Sequence, residues 1–243
     1  RLFTDNQFNT TNSKARFIAL KARFPKQKVC AKFPLILNTG RIRDQWHTMT
    51  RTGKAQALVE HAEQAFIHMH PKDAEKYNIE NNELIALSSS VSEDKPVVAP
   101  VIISNDIKVG ELFVPIHWSK TNSSHLGLMS LFSSANDPIS GQPELKHAAV
   151  SFQKVVPRSA MSLAVKKSKI APDIQLAQYQ VRINKGDFWL YLLSEIPSSK
   201  QTDTKDSAVF NNGQSLKDRV MKKLSDDIVW LSKADTQGST NSV

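Results

Sequence analysis

LNTGRIRDQWHTMTRTG, residues 37–53, crowds three arginines, a tryptophan, a histidine and several threonines and glycines into one short segment. The apolar run Phe33 to Leu37 leads into it as a buried strand would, so the segment reads as a strand-exit loop. At that exit Thr39-Gly40 is expected to let the backbone turn sharply and expose N–H groups, a geometry that commonly meets phosphate. Arg41, Arg43 and Arg51 add planar forks suited to phosphate oxygens. Trp46 and His47 offer a flat surface and a hydrogen-bonding ring. The same residues also fit a solvated basic hairpin, so composition alone leaves two readings open.

A chain of 243 residues with 40% hydrophobic content can build one sizeable core, or one domain and an appendage, without a staple. Cys30 is the only cysteine, which rules out an internal disulfide framework and any multi-cysteine zinc or iron–sulfur site made by this chain alone. A reducing, cytoplasmic compartment is the simplest expectation. No apolar run approaches the roughly 20 residues that cross a bilayer, and Arg1-Leu2-Phe3 carries no secretory pattern. The absence of an initiator methionine suggests a fragment of something longer.

The net charge of +9 is lopsided, because residues 1–40 hold eight Lys/Arg against Asp5 and so carry +7 of it. Interleaved with Phe17, Phe24 and Phe33, that basic lead-in fits a polyanion strip, and equally a linker or edge strand lying against a partner domain. The rest of the chain is nearly balanced, which makes nucleic acid the weaker expectation.

Beyond the arginine-rich loop, short strands and connecting loops dominate. Ala65 to His70 is a short strand, and Pro71 opens a helix through Tyr77 that Asn78 ends. Leu84 to Ser88, Pro96 to Ser104 and Glu111 to Pro115 are β-rich runs spaced as in a barrel of about six strands. Ser119 to Asp137 is a long, pattern-poor loop, and loops of that length are usually functional. The turns Asp137-Pro138 and Ser140 to Pro143 lead to a last barrel strand, Ala148 to Val156. Lys166 to Lys169 and the Pro172 region read as a linker. Gln178 to Ile183 and Phe188 to Leu193 form a strand pair around Asn184-Lys185-Gly186-Asp187. Ser215 to Leu224 is an amphipathic helix with Leu216, Val220, Met221 and Leu224 on one face, and Ile228 to Leu231 a further strand.

Four blocks in fixed order carry a resemblance: the loop at 37–53, FIHMHPKDA (66–74), GELFVPIHW (110–118) and DPISGQPELK (137–146). Together they resemble the C-terminal molybdopterin-dinucleotide-binding domain of the dimethyl-sulfoxide-reductase family, most closely its assimilatory nitrate reductase catalytic subunits. LFTDNQF and SKARF also resemble the approach to that domain, and Asp226 to Asp235 is weakly similar to the segment on its C-terminal side. The resemblance implies a mainly β chain with short helices (α+β): a double-psi β-barrel followed by a small α+β C-terminal appendage. The expected divisions are a basic lead-in (1–32), the barrel (33–157), a linker (158–176) and a truncated appendage (177–243).

The implied cofactor is a bis(molybdopterin guanine dinucleotide) centre with molybdenum, and its iron–sulfur cluster belongs to the rest of the enzyme, not to this chain. The implied partners are earlier domains of the same polypeptide and an electron-donor protein or reductase subunit, with nitrate as substrate of the whole enzyme. The chain then positions the cofactor and contributes no catalytic or metal-ligating residue of its own. Cofactor contacts carry over onto Thr39, Gly40, Arg41, Trp46, His47, Thr48, Met49, Thr50, Arg51 and Lys146. Relatives have an asparagine shortly before the Asp-Pro turn, where Ser133 aligns here and Asn136 lies close by. His117, in PIHW, falls where related enzymes have a substrate-proximal aromatic residue, and is expected to face the substrate funnel rather than merely cap the barrel.

Two other outcomes stay in view. Formate dehydrogenases share this barrel, and a barrel of this type also serves as a non-enzymatic polyanion-binding module. A zinc reading of His61, His68 and His70 is disfavoured, because His70-Pro71 is already explained by the helix start. Cys30, on the basic segment, is expected to be a linker or buried cysteine.

Overall fold

In the computed structural model, residues 2–19, 21, 23–122, 124–125, 127–169, 174–196 and 215–224 are described. Six strands close a barrel: β1 (Leu35–Gly40), β2 (Ile67–Met69), β3 (Leu84–Ser89), β4 (Val97–Ile103), β5 (Glu111–Pro115) and β6 (Ala148–Val155). Their order around it is β1-β5-β2-β4-β3-β6. β1 pairs with β5, and β2 with β4, in parallel, whereas the other four pairings are antiparallel. The result is the mainly β, closed six-stranded barrel with short helices that the sequence led us to expect.

Alternation within each strand fills the barrel. Along β1 the even exchange of buried and partly buried positions points Leu35, Leu37 and Thr39 inward, and Ile85, Leu87 and Ser89 do the same from β3. Ile67, Met69, Val101, Leu112 and Val114 complete a core in which each is fully buried. β4 differs because both its faces are buried: Val97, Ala99 and Val101 join the barrel core, and Val98 lies under a second sheet. A continuous apolar run such as VVAPVII suits a strand covered on both sides.

Two short helices, α1 (Gln56–Val59) and α2 (Pro71–Tyr77), link the strands. α2 begins as its sequence dictates. Pro71 occupies the first turn, His70 Nδ1 accepts from the Lys72 N–H at 3.1 Å, and Asn78 closes the helix in the left-handed region at φ 52°. Its buried Asp73 accepts from the Gly110 N–H at 2.7 Å, which fixes the turn into β5.

The second sheet has three strands in the order β7-β9-β8: β7 (Ser159–Lys166), β8 (Tyr179–Lys185) and β9 (Phe188–Glu195). The strand pair around residues 184–187 forms as expected. The linker expected over 158–176 is corrected, since β7 fills half of it and pairs with β9 over its whole length. Its alternation, SAMSLAVK, carries small residues on the outward face, so it lacks the aromatic and β-branched density that marks a strand. Helix α3 (Leu216–Leu224) covers the sheet with Leu216, Val220 and Leu224 buried, and Met221 stands at the exposed margin. The expected strand at 228–231 lies outside the described residues, as do residues 197–214 and the remainder of 225–243.

The second sheet packs on the barrel through Tyr179, Val181 and Ile183 against Val98, with Leu84, Ala86 and Val155 at the margin. Its free edge is covered, because β8 exchanges backbone hydrogen bonds with residues 122 and 124: Arg182 N–H to Asn122 O at 2.8 Å and Ser124 N–H to Gln180 O at 3.1 Å. Asn122 and Ser124 are therefore held against the edge of the sheet.

Leu112→Ala, which empties a fully buried site in β5 between both of its neighbours, should cost about 2–5 kcal/mol of unfolding free energy. Urea denaturation followed by tryptophan fluorescence measures it. An unchanged midpoint would mean that the barrel is not the cooperative core.

Candidate cofactor-binding rim

Because β1 and β5 run parallel and β6 runs antiparallel to β1, the ends of β1 and β5 and the start of β6 meet at one rim. The arginine-rich loop leaves β1 there, PIHW leaves β5, and the Pro-Glu-Leu-Lys segment enters β6. Three sequence-distant blocks are thus brought together by strand direction alone.

Thr39 and Lys146 brace this rim. The Thr39 side chain, 2% exposed, donates to Leu145 O at 2.6 Å, and Lys146 Nζ donates to Thr39 O. The hydroxyl of Thr39, expected as a cofactor contact, is thus spent inside the protein as a donor. Gly40 is likewise not a turn. It lies within β1, its carbonyl accepts from the Ile116 N–H at 3.0 Å, and a Cβ there would stand 2.8 Å from the Phe113 ring. The glycine is required for close approach between neighbouring strands, a use that a strand-end glycine shares with a turn.

His117 holds the loop. It is 3% exposed; its Nε2 accepts from the Ile42 N–H at 2.9 Å, and its Nδ1–H donates to Trp46 O at 3.0 Å and His47 O at 3.2 Å. Burial lowers its pKa, outweighing the two carbonyls, so the ring is neutral, as an acceptor Nε2 requires. The expected funnel-facing role is corrected, because both ring nitrogens are engaged with the backbone. Gln45, 6% exposed, adds a second tie: its Nε2 donates to Leu58 O at 3.0 Å and its Oε1 accepts from Thr52 Oγ1 at 2.8 Å. Thr52 Oγ1 in turn accepts from the Trp46 N–H at 3.1 Å. Sequence reasoning missed Gln45 and Thr52, for such residues in a polar loop look like ordinary solvated side chains.

The rest of the loop faces outward. Arg41, Trp46, His47, Thr48, Thr50 and Arg51 are exposed, and the Arg41 guanidinium lies 5.8 Å from the centre of the Trp46 ring. Met49 takes the left-handed region at φ 53° and packs against the barrel core, turning the loop so that Thr48 and Thr50 stand on either side. Arg43 is set apart by a two-pronged pair with Asp44, both contacts 2.9 Å, and Asp44 also accepts from His61 at 2.8 Å. That pair lowers the Asp44 pKa. Ser133 Oγ accepts from the Ala135 N–H at 3.4 Å, and Asn136 bridges to Pro143, so both lie on the segment that returns to the rim.

The other histidines disperse. His68 stacks on Phe66 with ring centres 4.6 Å apart, His70 caps α2, and His61 serves Asp44. Cys30 is exposed on the lead-in, which is anchored by Gln27 Nε2 donating to Leu131 O at 3.2 Å.

The closed β-barrel thus presents arginine, threonine and aromatic side chains at one rim, on a loop pinned by His117. Residues 35–149 match the model of the molydopterin dinucleotide binding domain. The chain is 37% identical over 146 residues to a nitrate reductase of Klebsiella oxytoca, covering 60% of this chain and 16% of that protein. It is 32% identical to the assimilatory nitrate reductase catalytic subunit of Bacillus subtilis (strain 168), covering 62% of this chain and 20% of that protein. The F420-dependent formate dehydrogenase subunit alpha of Methanocaldococcus jannaschii is 31% identical, over 64% of this chain and 22% of its own length. The chain thus spans about a fifth of these relatives.

His117→Phe removes both ties and strands the Ile42 N–H, which should cost about 1–3 kcal/mol and make residues 41–50 the first site of limited proteolysis. Cleavage elsewhere at the same rate would sink the clasp. A pH effect accompanies it. His68, His117 and His125 have pKa values lowered by burial below 6.5, so the unfolded chain binds more protons than the folded one. The stability they confer is complete above pH 6.5 and is lost as pH falls through their folded values. His117→Phe should flatten that slope between pH 7 and 5, since it removes one of three such groups, measured by urea denaturation at each pH.

Proposed function

We propose that this chain is the cofactor-gripping part of a molybdenum oxidoreductase, a nitrate reductase holding a bis(molybdopterin guanine dinucleotide) centre. The observation that carries the reading is the ridge of Arg41, Trp46, His47, Thr48, Thr50 and Arg51, turned outward on a loop whose inner side is pinned by His117 and Gln45. Apart from the Thr48 hydroxyl, which donates to Thr50 Oγ1 at 3.4 Å, its hydroxyls and guanidinium groups keep their donors for an incoming acceptor, which fits the phosphates of a dinucleotide.

When bound, the centre supplies the oxygen-atom transfer that converts nitrate to nitrite. The chain's own part is to orient that centre and exclude competing geometries. Arg41 and Arg51 compensate phosphate charge, Trp46 offers a flat face, and Thr48 and Thr50 donate hydroxyl hydrogen bonds. Lys146 acts one step back, holding β1 against the start of β6. Residues 33–157 form the cofactor-binding unit in this reading, with 1–32 lying against earlier domains. Those domains bring the iron–sulfur cluster and meet an electron donor, and the enzyme assimilates nitrate in the cytoplasm. A formate dehydrogenase is the second reading, favoured by the 31% identity to the formate dehydrogenase subunit.

The test is expression of the full-length polypeptide in a cofactor-competent host, with molybdenum content and viologen-linked activity on nitrate and formate. Stoichiometric molybdenum with nitrate turnover is expected; formate turnover would transfer the assignment, and absence of molybdenum would overturn it. Arg51→Ala should reduce retained cofactor roughly tenfold, as loss of one charge-assisted hydrogen bond implies.

A further inference from the structure

A second feature lies where the far end of the loop meets the appendage. Residues 48–54 and 59–63, the segment after β5, and strands β8 and β9 enclose a cavity of about 220 Å³. Its walls combine Trp118, Trp189 and Met49 with the polar groups of Thr48, Thr50 and Asn122. The charged residues of its lining are Lys54, Arg182 and Glu63, and Glu63 is already ion-paired with Lys185, which leaves the lining positive.

Arg182 is the unusual member. Its guanidinium lies 4.5 Å from the centre of the Trp189 ring, and its Nε and Nη1 are buried with no hydrogen-bond partner among the described residues. Lys167 places a second cation 4.6 Å from the same ring. The neighbouring Tyr191 hydroxyl is buried and unpartnered too. A guanidinium held over an aromatic face, beside a second cation and with two buried nitrogens unpartnered among the described residues, is costly unless an anion approaches. The surrounding frame is rigid. Asn184 Nδ2 donates to Gly53 O at 2.9 Å, and its Oδ1 accepts from Lys167, so the appendage is locked onto the loop at the cavity edge.

We propose that this cavity is a binding site for a phosphate-class oxyanion, with Arg182 as its central cation and Thr48, Thr50 and Asn122 as candidate hydrogen-bonding groups. The volume is below the roughly 300–1,000 Å³ of sites that enclose a drug-sized molecule, which favours a small oxyanion or one phosphate of a larger ligand over an enclosed nucleotide. Arg182 and Trp189 lie outside the matched domain, at 35–149, whereas Thr48 and Thr50 are shared with the cofactor reading, so free phosphate and the Arg182 variants are what separate this site from that reading.

Isothermal titration calorimetry of the 243-residue chain at constant ionic strength tests it, with inorganic phosphate and guanosine 5′-diphosphate as the two ligands and chloride as the control. Phosphate should bind above the chloride control, R182Q should weaken it at least tenfold, and R182K, which keeps charge but not the planar face, severalfold. K167Q should weaken it by a smaller factor. Equal affinity for the two ligands identifies the free anion as occupant. Tenfold tighter diphosphate binding that still needs Arg182 identifies a nucleotide phosphate. Unfolding midpoints check that each variant folds, and R182K and K167Q carry the test should R182Q not fold. The proposal is overturned if neither ligand binds beyond chloride, if R182K and K167Q bind as the parent does, or if R41Q and not the Arg182 variants abolishes binding.

Discussion

Everything at the rim depends on the parallel pairing of β1 with β5. Antiparallel neighbours would have sent the two strand exits to opposite ends of the barrel. In parallel, Gly40 and Pro115 lie in register, so the loop after one strand runs beside the loop after the other. His117, two residues past β5, can then reach Ile42, two residues past β1. A neutral imidazole is suited to that task, since it offers one acceptor and one donor on opposite sides of a flat ring, and burial keeps it neutral.

That arrangement separates two kinds of polar residue within one segment. Thr39, Gln45 and Thr52 turn inward and satisfy backbone or one another, at little exposure, while Arg41, Trp46, His47 and Arg51 turn outward. Buried polar groups without partners are expensive, so the inward set is fully engaged and unavailable to a ligand. The outward set keeps its donors for something that arrives. A loop so divided can be rigid without using up its binding groups, which is the condition for holding a cofactor in one orientation.

The appendage contributes to the same end from outside. By bonding β8 to Asn122 and Ser124 and laying Asn184 on Gly53, it braces both loops of the rim. It also buries the outer face of β4 through Val98, which explains why that strand lacks an alternating pattern. Barrel and appendage are thus joined by an apolar contact and by a row of backbone hydrogen bonds, and the groove between them is where Arg182 stands.

Much of this was legible in the chain itself. Pro71 and Asn78 marked the ends of α2, the spacing of apolar runs marked β3, β4 and β5, and the crowding of arginine, threonine and aromatic residues marked the loop. These are local signals, set by backbone preference and side-chain period, and they survive in any fold. What a side chain does with its polar atoms is not local. Thr39, Gly40 and His117 were recognisable as rim residues, yet their roles as brace, close-approach point and clasp follow from partners 75 to 106 residues away or on a neighbouring strand. β7 was hidden because its outward positions are small, and Arg182 because an arginine in an alternating strand normally reaches solvent. Sequence determined the elements and the chemical character of the rim; tertiary structure alone decided which of its donors are spent and which remain free, because hydrogen-bond partners are chosen by strand direction and burial.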